Sequence, residues 1–154
     1  MIKRKANDFV SANKIIGNTV GDGFVYGLSF DSRTIKKGEL FFCLTGGKTD
    51  AHAFALEALE KGACGIVTER ELNTDAVQII VSDTRKALSI LSSAFFSYPS
   101  KRLKIIGITG TNGKTTTAFM LASILKKAGK KVGVIGTLGI FTDTRLFPSY
   151  ATVS

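Results

Sequence analysis

The chain has 154 residues, of which 44% are apolar, with 21 Lys or Arg residues, 12 Asp or Glu residues and one His. This length predicts one domain or two small ones, and the apolar fraction is enough for a hydrophobic core, which excludes a disordered or fibrous protein. Because His52 is the single histidine, a His-rich metal site is excluded, and any bound metal would be held by oxygen ligands.

The formal net charge of +9 predicts an anionic partner, namely nucleic acid, a membrane surface or a phosphorylated small molecule, unless the basic side chains only solvate the surface. Basic residues occur in short pairs without interleaved aromatic residues, so we expect no nucleic-acid partner. No window reaches the ~18 apolar residues of a membrane helix, so we expect no membrane partner. Cys43 and Cys64 lack a Cys-x-x-Cys spacing, which is typical of reduced cysteines in a cytoplasmic protein.

Hydrophobic patterning predicts strands and helices in alternation. Strand character is found at 27–30, 39–44, 64–68, 77–81, 104–109 and 131–135. Helical periodicity is found at 51–59 after Asp50, at 87–95 after Asp83, and from about 114 to 128 before Gly129. The third helix is apolar on most sides, which predicts a buried helix. The later strands are continuously apolar, which is typical of parallel strands, so the chain predicts an α/β fold.

A polar segment at 97–102, which contains Pro99, predicts a domain boundary. Residues 1–98 would form a small α/β domain, and residues 103–154 would begin a second one. Only two predicted strands and one predicted helix follow the boundary, and two strands do not form an independently stable sheet. We therefore expect either a fragment of a longer protein or a tail that packs on the first domain.

The most informative segment leads from the strand at 104–109 through a glycine-rich turn to Gly113-Lys114-Thr115, which opens the third helix. Glycines let successive N–H groups point into one concavity, and the helix N-terminus adds about half a positive charge. Lys114 would bridge the β- and γ-phosphates of a nucleotide, and the Thr115 hydroxyl would complete the coordination of Mg²⁺. Ile108 replaces the first glycine of the common Gly-x-x-x-x-Gly-Lys pattern, and a plain glycine turn before a helix is the alternative.

The segment Gly-Thr-Asn-Gly-Lys-Thr-Thr at 110–116 resembles the shortened phosphate loop of the Mur ligases, which use ATP to add amino acids to UDP-N-acetylmuramoyl peptides in cell-wall synthesis. Further segments are similar to the same family in order along the chain: 29–33, 38–42, 46–54, 81–88 and 129–139. Thr111 and the Ile-Gly-Thr at 135–137 favour the enzymes that add the third residue over those that act in the fourth step.

The resemblance implies a domain organisation and an activity. Residues 1–98 would be the UDP-binding domain, and residues 103–154 would be the start of the central ATP-binding domain, with the first strand, P-loop, helix and strand of a parallel sheet. The complete enzyme would add diaminopimelate or lysine to UDP-N-acetylmuramoyl-L-alanyl-D-glutamate through an acyl phosphate, with ATP and Mg²⁺ as cofactors. We expect a cytoplasmic monomer whose partners are these small molecules.

The resemblance also implies roles for single residues. ATP would be bound by Gly110, Thr111, Asn112, Gly113, Lys114, Thr115 and Thr116. Lys114 would also act as the catalytic residue that offsets charge during phosphoryl transfer, and Thr115 would bind Mg²⁺. The UDP-muramoyl peptide would be bound by Phe30, Ser32, Gly47, Lys48, Thr49 and Thr152. Ordinary turn and capping chemistry is the alternative for Ser32 and Thr49.

Two departures from the family pattern bear on this interpretation. Ala51 stands where the family has the glycine of Asp-Gly-His, so a backbone position that tolerates a positive φ is altered. The family's Asn-Thr-Thr-Pro segment should fall near residue 150, and of the residues there only Thr152 agrees. His52 itself is expected to be a packed or loop-stabilising residue rather than a ligand.

We expect this 154-residue chain to have no ligase activity alone, because the family's amino-acid pocket and remaining magnesium ligands come from later domains. ADP release from the pure chain that depends on both UDP-muramoyl dipeptide and an amino acid would contradict this. The alternatives are a fourth-step Mur ligase, a non-catalytic module that binds UDP-muramoyl compounds, an unrelated P-loop ATPase and, last, a basic nucleic-acid binder.

Overall fold

The computed structural model describes residues 4–5, 24–46 and 50–147. The chain divides into two compact units, one that ends at Leu103 and one that begins at Lys104. The division lies one residue after the polar segment 97–102. Within that segment Pro99–Arg102 forms a short 3₁₀ helix, and Ser97 and Tyr98 are the described non-glycine residues with a positive φ.

The first unit contains a four-stranded parallel sheet. Strands β1 (Arg4–Lys5) and β2 (Phe24–Val25) form a separate antiparallel pair. The parallel sheet contains, in spatial order, β3 (Gly27–Ser29), β4 (Glu39–Phe42), β5 (Gly65–Thr68) and β6 (Gln78–Ile80). In register, Leu28 lies opposite Leu40, Leu40 opposite Gly65 and Ile66 opposite Gln78. The predicted α/β class and the first four predicted strands are confirmed, with ends one or two residues shorter.

The sheet is buried on both faces, which explains its continuous apolar strands. Because side chains alternate along a strand, Leu40 and Phe42 of β4 point to one face, whereas Phe41 points to the other. Leu40 and Phe42 belong to one hydrophobic cluster, which also contains Val67, Ile79 and three residues of helix α2 (Thr84–Phe95), namely Ala87, Leu91 and Phe95. Phe41 belongs to a second hydrophobic cluster, which also contains Cys43, Ile66 and two residues of helix α1 (Ala55–Glu60), namely Ala55 and Ala58. The unit therefore has helices on both sides of one sheet.

Side-chain caps fix where the helices of this unit begin. The Asp50 carboxylate accepts a hydrogen bond from the N–H of His52, and a 3₁₀ turn over Ala51–Phe54 follows and leads into α1. The Asp83 carboxylate accepts one from the N–H of Lys86 at the start of α2. Such caps satisfy N–H groups that have no acceptor within the helix. The helices predicted after Asp50 and Asp83 are both confirmed, although the first begins as a 3₁₀ turn.

The second unit packs one helix against a small antiparallel sheet. Helix α3 (Lys114–Lys127) precedes β7 (Val134–Gly136), β8 (Gly139–Phe141) and β9 (Leu146–Phe147), which pair in that order. Phe119 of α3 meets Phe141 of β8 edge to face at 4.8 Å between ring centroids. Lys126 forms an ion pair with Asp143 at 3.0 Å.

Three expectations for this unit are wrong. Residues 104–109 form no strand, because a strand needs a neighbour for its hydrogen bonds and these residues pair with none. The described strands of this unit are antiparallel rather than parallel, since Gly136 lies opposite Gly139 in a tight connection. Helix α3 is also not buried all round: Ala122 is its buried residue, whereas Met120 and Ile124 are 65% and 64% exposed. A helix that is apolar on most sides needs cover on most sides, and these short strands contact only part of it.

The core of the first unit gives a direct test of the fold. Leu91 of α2 is fully buried in the cluster that contains Phe42 and Ile79. We expect Leu91→Ala to lower the free energy of unfolding by about 2 to 5 kcal/mol, because it removes buried methyl groups and leaves a cavity. Leu56→Ala is the matched control, since Leu56 is exposed, and we expect it to cost less than about 0.5 kcal/mol. Equal losses for the two variants in urea unfolding would contradict this packing.

Candidate functional site

The carboxyl ends of the four parallel strands lie at one edge of the sheet, and Phe30, Thr45 and Glu69 follow three of these ends. In open α/β sheets, ligands bind outside the carboxyl ends of the strands. Phe30 and Ser32 follow β3 at this edge. Gly47, Lys48 and Thr49 belong to the loop after β4 but lie outside the described residues, as does Thr152. Of the predicted UDP-muramoyl-binding residues, the structure therefore places Phe30 and Ser32.

Ser32 is held by two residues of the neighbouring helical segment. It is only 7% exposed, and its Oγ donates a hydrogen bond to Oε2 of Glu57 at 3.2 Å. Lys61 Nζ donates to the Ser32 carbonyl oxygen at 2.9 Å and to Oε1 of Glu57 at 2.6 Å. The Lys61 ammonium, assisted by the Ser32 hydroxyl, lowers the pKa of the Glu57 carboxyl. We call these three residues the Ser32 cluster.

Phe30 stands next to a turn that is fixed by its own side chains. The Asp31 carboxylate accepts hydrogen bonds from the backbone N–H of Arg33 at 3.0 Å and from its guanidinium at 2.9 and 2.7 Å. The same guanidinium lowers the pKa of Asp31 to about 2. The Phe30 ring is 61% exposed beside this turn. A large apolar ring held at the surface in this way is available for stacking on a flat ligand.

A second polar cluster surrounds His52. Asp50 accepts hydrogen bonds from the His52 backbone N–H at 3.0 Å and from Arg70 at 2.8 Å, and its Oδ1 also contacts Nδ1 of the His52 ring. Nε2 of this buried ring accepts a hydrogen bond from the N–H of Glu69 at 3.1 Å. Because Nε2 accepts, the neutral ring carries its proton on Nδ1, which donates to Asp50. His52 is therefore the packed, loop-stabilising residue that was predicted.

Glu69 connects this cluster to the ends of β4 and β6. Its Oε1 accepts from the N–H and the hydroxyl of Thr84, both at 2.8 Å, and its Oε2 accepts from the Thr45 hydroxyl at 3.2 Å. These donors lower the pKa of the Glu69 carboxyl. Arg85 donates to the Thr45 carbonyl at 3.2 Å, and Thr45 forms a β-bridge with Asp50. Both ends of the loop after β4 are thus tied to the same edge of the sheet.

The replacement of glycine by Ala51 does not strain this edge. Ala51 lies in the 3₁₀ turn, and its N–H donates to the Leu44 carbonyl at 3.1 Å. It is not among the described residues with a positive φ. An alanine therefore fits the backbone that the structure has at this position.

Sequence patterns do not point to four residues of these clusters, namely Glu57, Lys61, Glu69 and Arg70. Glu57 and Lys61 are four residues apart at the end of a predicted helix, and this spacing signals an ion pair. Glu69 gave no such signal, because its partner Thr84 is 15 residues away in the chain. The two residues become neighbours only through the pairing of β5 with β6.

In the second unit, the predicted phosphate loop lies at the N-terminus of α3. Gly110 and Gly113 have φ values of +145° and +77°, which side chains with a Cβ rarely adopt. Gly113 is the N-cap and supplies no capping side chain, so the first N–H groups of the helix remain available to an external acceptor. Lys114 Nζ lies over the loop and donates to the carbonyl oxygens of Gly110 at 2.5 Å and Thr111 at 3.0 Å.

This loop has the chemistry of an anion site. Residues 110–117 are all exposed, and the uncapped N-terminus of a 14-residue helix, a lysine and adjacent hydroxyls of Thr115 and Thr116 lie together. In the described parts of the chain, no group of three or more His, Cys, Asp or Glu side chains could hold a metal ion. At this loop, the Thr115 hydroxyl is the side-chain oxygen that would contact a magnesium ion held by phosphate oxygens.

The two cysteines of the first unit have low reactivity. Cys43 and Cys64 are free, and burial raises the pKa of their thiols to about 12 and about 11. Such thiols stay protonated and are poor nucleophiles.

Among the helices that the structure describes, none has the length and apolar character that would be needed to cross a membrane.

Two family models match the chain. The model of the Mur ligase family, catalytic domain, matches residues 24–97, and the model of the Mur ligase middle domain matches residues 108–153. The first match covers the parallel sheet with both of its helices, and the second covers the phosphate loop, α3 and the small sheet.

Curated relatives and solved structures agree with these models. The UDP-N-acetylmuramoyl-L-alanyl-D-glutamate–2,6-diaminopimelate ligase of Geobacillus kaustophilus is 47% identical over 132 residues, which are 86% of this chain and 27% of that protein. The ligase of the same name from Aquifex aeolicus is 50% identical over 114 residues, 74% of this chain and 24% of that protein. The chain thus spans about a quarter of the length of the curated relatives that it matches.

Among solved structures, the UDP-N-acetylmuramoylalanyl-D-glutamyl-2,6-diaminopimelate–D-alanyl-D-alanyl ligase of Acinetobacter baumannii matches with a TM-score of 0.64 and 32% identity. The match covers 81% of this chain and 28% of that one. A MurF ligase of Thermotoga maritima in complex with ADP matches with a TM-score of 0.54 and 30% identity, over 65% of this chain and 23% of that one.

The charged contacts of Asp50 predict a pH dependence of stability. Arg70 first, and then the N–H groups of His52, hold the pKa of Asp50 well below its usual range. A carboxyl with a lowered folded-state pKa stabilises the fold above its unfolded pKa of about 4, and this contribution is lost as the pH falls toward the folded value. We expect Asp50→Asn to lower Tm at pH 7 and to flatten the fall of Tm between about pH 5 and pH 3.

Thermal unfolding followed by circular dichroism measures this dependence. Asp75→Asn is the matched control, because Asp75 is an exposed carboxylate outside the cluster. If Asp50→Asn follows the pH profile of the wild-type protein and of the control, the proposed contacts of Asp50 do not stabilise the fold.

Proposed function

We propose that this chain, which belongs to the Mur ligase family, carries the uridine-binding part and the phosphate-binding loop of a third-step ligase. The complete enzyme would add an amino acid to UDP-N-acetylmuramoyl-L-alanyl-D-glutamate at the expense of ATP. The observation that carries this proposal is the loop at the N-terminus of α3, where two glycines with positive φ, an uncapped helix end and Lys114 lie together.

At this loop, the chain's own residues would bind and orient the phosphates of ATP. The N–H groups of the first turn of α3 would donate to phosphate oxygens, with Gly110, Thr111, Asn112, Gly113 and Thr116 completing the cradle. Lys114 would leave the carbonyl oxygens of Gly110 and Thr111 and turn toward the β- and γ-phosphates. The Thr115 hydroxyl would be a ligand of Mg²⁺. Bound ATP would supply the phosphoryl group that activates the substrate carboxylate.

Lys114 would also be the catalytic residue of this part of the enzyme. Negative charge is spread over the transferred phosphoryl group in the transition state, and a fixed ammonium group offsets it. The MurF ligase from Thermotoga maritima was solved in complex with ADP, which supports an adenine nucleotide as a ligand of this chain.

At the edge of the parallel sheet, the first unit would bind the uridine end of the substrate. Phe30 would stack on the uracil ring, and Ser32 would hydrogen-bond its polar edge. Gly47, Lys48 and Thr49 would contact the diphosphate and Thr152 the muramoyl peptide, as the family resemblance implies. Residues 1–98 would accordingly be the UDP-binding domain, and residues 103–154 would belong to the central ATP-binding domain.

The third step is favoured over the fourth by similarity. Curated relatives that are 44% to 50% identical to this chain are named as diaminopimelate-adding ligases, whereas solved structures of the two kinds of ligase match at 30% and 32% identity and do not separate them. The name of these curated relatives also makes diaminopimelate, rather than lysine, the amino acid that we propose. The two free cysteines support a cytoplasmic location for a monomeric enzyme.

The proposed ATP site is tested by replacing its lysine. We expect Lys114→Met to weaken binding of ATP with Mg²⁺ by at least about tenfold, because a charge-assisted contact to phosphate is lost, and to leave UDP binding unchanged. Isothermal titration calorimetry measures both affinities. Lys127→Met, at the last residue of the same helix, is the matched control and should bind both nucleotides like wild type. An unchanged ATP affinity in Lys114→Met would contradict the site.

A further inference from the structure

The Ser32 hydroxyl donates its proton in a hydrogen bond within the protein. A serine hydroxyl has one proton to donate and two lone pairs that accept. An ionised carboxylate can only accept, so the contact of 3.2 Å to Oε2 of Glu57 uses the Ser32 proton. Ser32 Oγ can therefore offer a ligand nothing but its lone pairs.

Glu57 is itself fixed in this role. Its other oxygen, Oε1, accepts from Lys61 at 2.6 Å, and the same ammonium group donates to the Ser32 carbonyl at 2.9 Å. Both carboxylate oxygens thus have defined partners, and the serine backbone is tied to the same lysine. Ser32 is buried, whereas the side chains of Glu57 and Lys61 are 42% and 40% exposed, so the hydrogen bonds themselves, rather than the exclusion of water, fix the direction of the Ser32 hydroxyl.

Pyrimidine rings differ at the position that such a hydroxyl would meet. Uracil carries a single ring donor, N3–H, between two carbonyl oxygens, whereas N3 of cytosine is an acceptor beside an amino group. A hydroxyl that can only accept pairs with N3–H of uracil. The same hydroxyl facing N3 of cytosine would set two lone pairs against each other, which leaves both groups unsatisfied.

We propose that Glu57 is a specificity-determining residue that acts through Ser32. Because Glu57 accepts the hydrogen bond from the Ser32 hydroxyl, this hydroxyl can only accept a hydrogen bond from a ligand. An acceptor at this position selects a uracil nucleotide over a cytosine nucleotide. The inference rests on the proposed function, which places the uridine end of the substrate at Ser32. Lys61 donates to the other oxygen of this carboxylate, Oε1, and not to the oxygen that faces Ser32.

The experiment compares the affinities for UDP and CDP by isothermal titration calorimetry of the whole chain. We expect the wild-type protein to bind UDP at least about tenfold more tightly than CDP, the size of effect that one mismatched buried hydrogen bond produces. In Glu57→Ala the Ser32 hydroxyl loses its acceptor, so it can donate to N3 of cytosine. In Glu57→Gln we expect the Lys61 ammonium to hold the amide oxygen, which turns the amide NH2, a donor, toward Ser32 and frees the hydroxyl proton in the same way. We expect the ratio of the two affinities to fall to within about threefold.

Two further variants separate the effect from a loss of charge or of packing. Glu60→Gln removes a carboxylate from the same helix at an exposed position, and we expect it to keep the wild-type ratio. Lys61→Met leaves Glu57 as the acceptor for Ser32, so it should keep a preference for UDP even if both nucleotides bind more weakly. A ratio is informative here because a purely structural defect weakens both ligands together.

The outcomes distinguish the inference from the proposed function. If wild type prefers UDP and both Glu57 variants keep that preference, Glu57 does not set the specificity and the inference is wrong. If wild type prefers CDP, or loses its preference in Lys61→Met but not in Glu57→Gln, the inference is also wrong. If wild type binds neither nucleotide, the proposed function fails for this unit, and the inference fails with it.

Discussion

The burial of one parallel sheet on both faces is the constraint on which the first unit depends. Successive residues of β4 enter opposite clusters, with Leu40 and Phe42 against α2 and Phe41 against the side that holds α1. A sheet covered in this way presents few polar groups on its faces. Ligand chemistry is then expected at the edge where the four carboxyl ends meet, and Phe30 and the contacts of Glu69 lie there.

Charged contacts turn this edge into a defined surface. The Ser32 cluster ties the turn after β3 to α1, and the contacts of Glu69 tie the loop after β4 to the ends of β5 and β6. Most of these pairs are at least partly exposed and contribute little to stability individually. Their effect is to fix the direction of donors and acceptors, which lowers the entropy lost when a ligand binds.

The parts of the fold that sequence patterns predict are those governed by local chemistry. Apolar runs located β3 to β6, and the capping residues Asp50 and Asp83 located the starts of two helices. The glycine-lysine motif located the loop before α3, because positive φ values are a local demand of the chain. Contacts such as Glu69 to Thr84 depend on strand pairing, which local patterns do not encode. Residues 104–109 have the composition of a strand, but strand formation needs a pairing partner, and composition does not provide one.

We propose that this chain has two separate nucleotide sites, one for uridine at the sheet edge and one for ATP at the α3 loop. A titration followed by two-dimensional ¹H–¹⁵N NMR tests it most directly. The account predicts that UDP shifts the amide signals of residues 29–34 and leaves those of 110–117 in place, and that ATP with Mg²⁺ does the reverse. Shifts of the same set of amides by both nucleotides would contradict it.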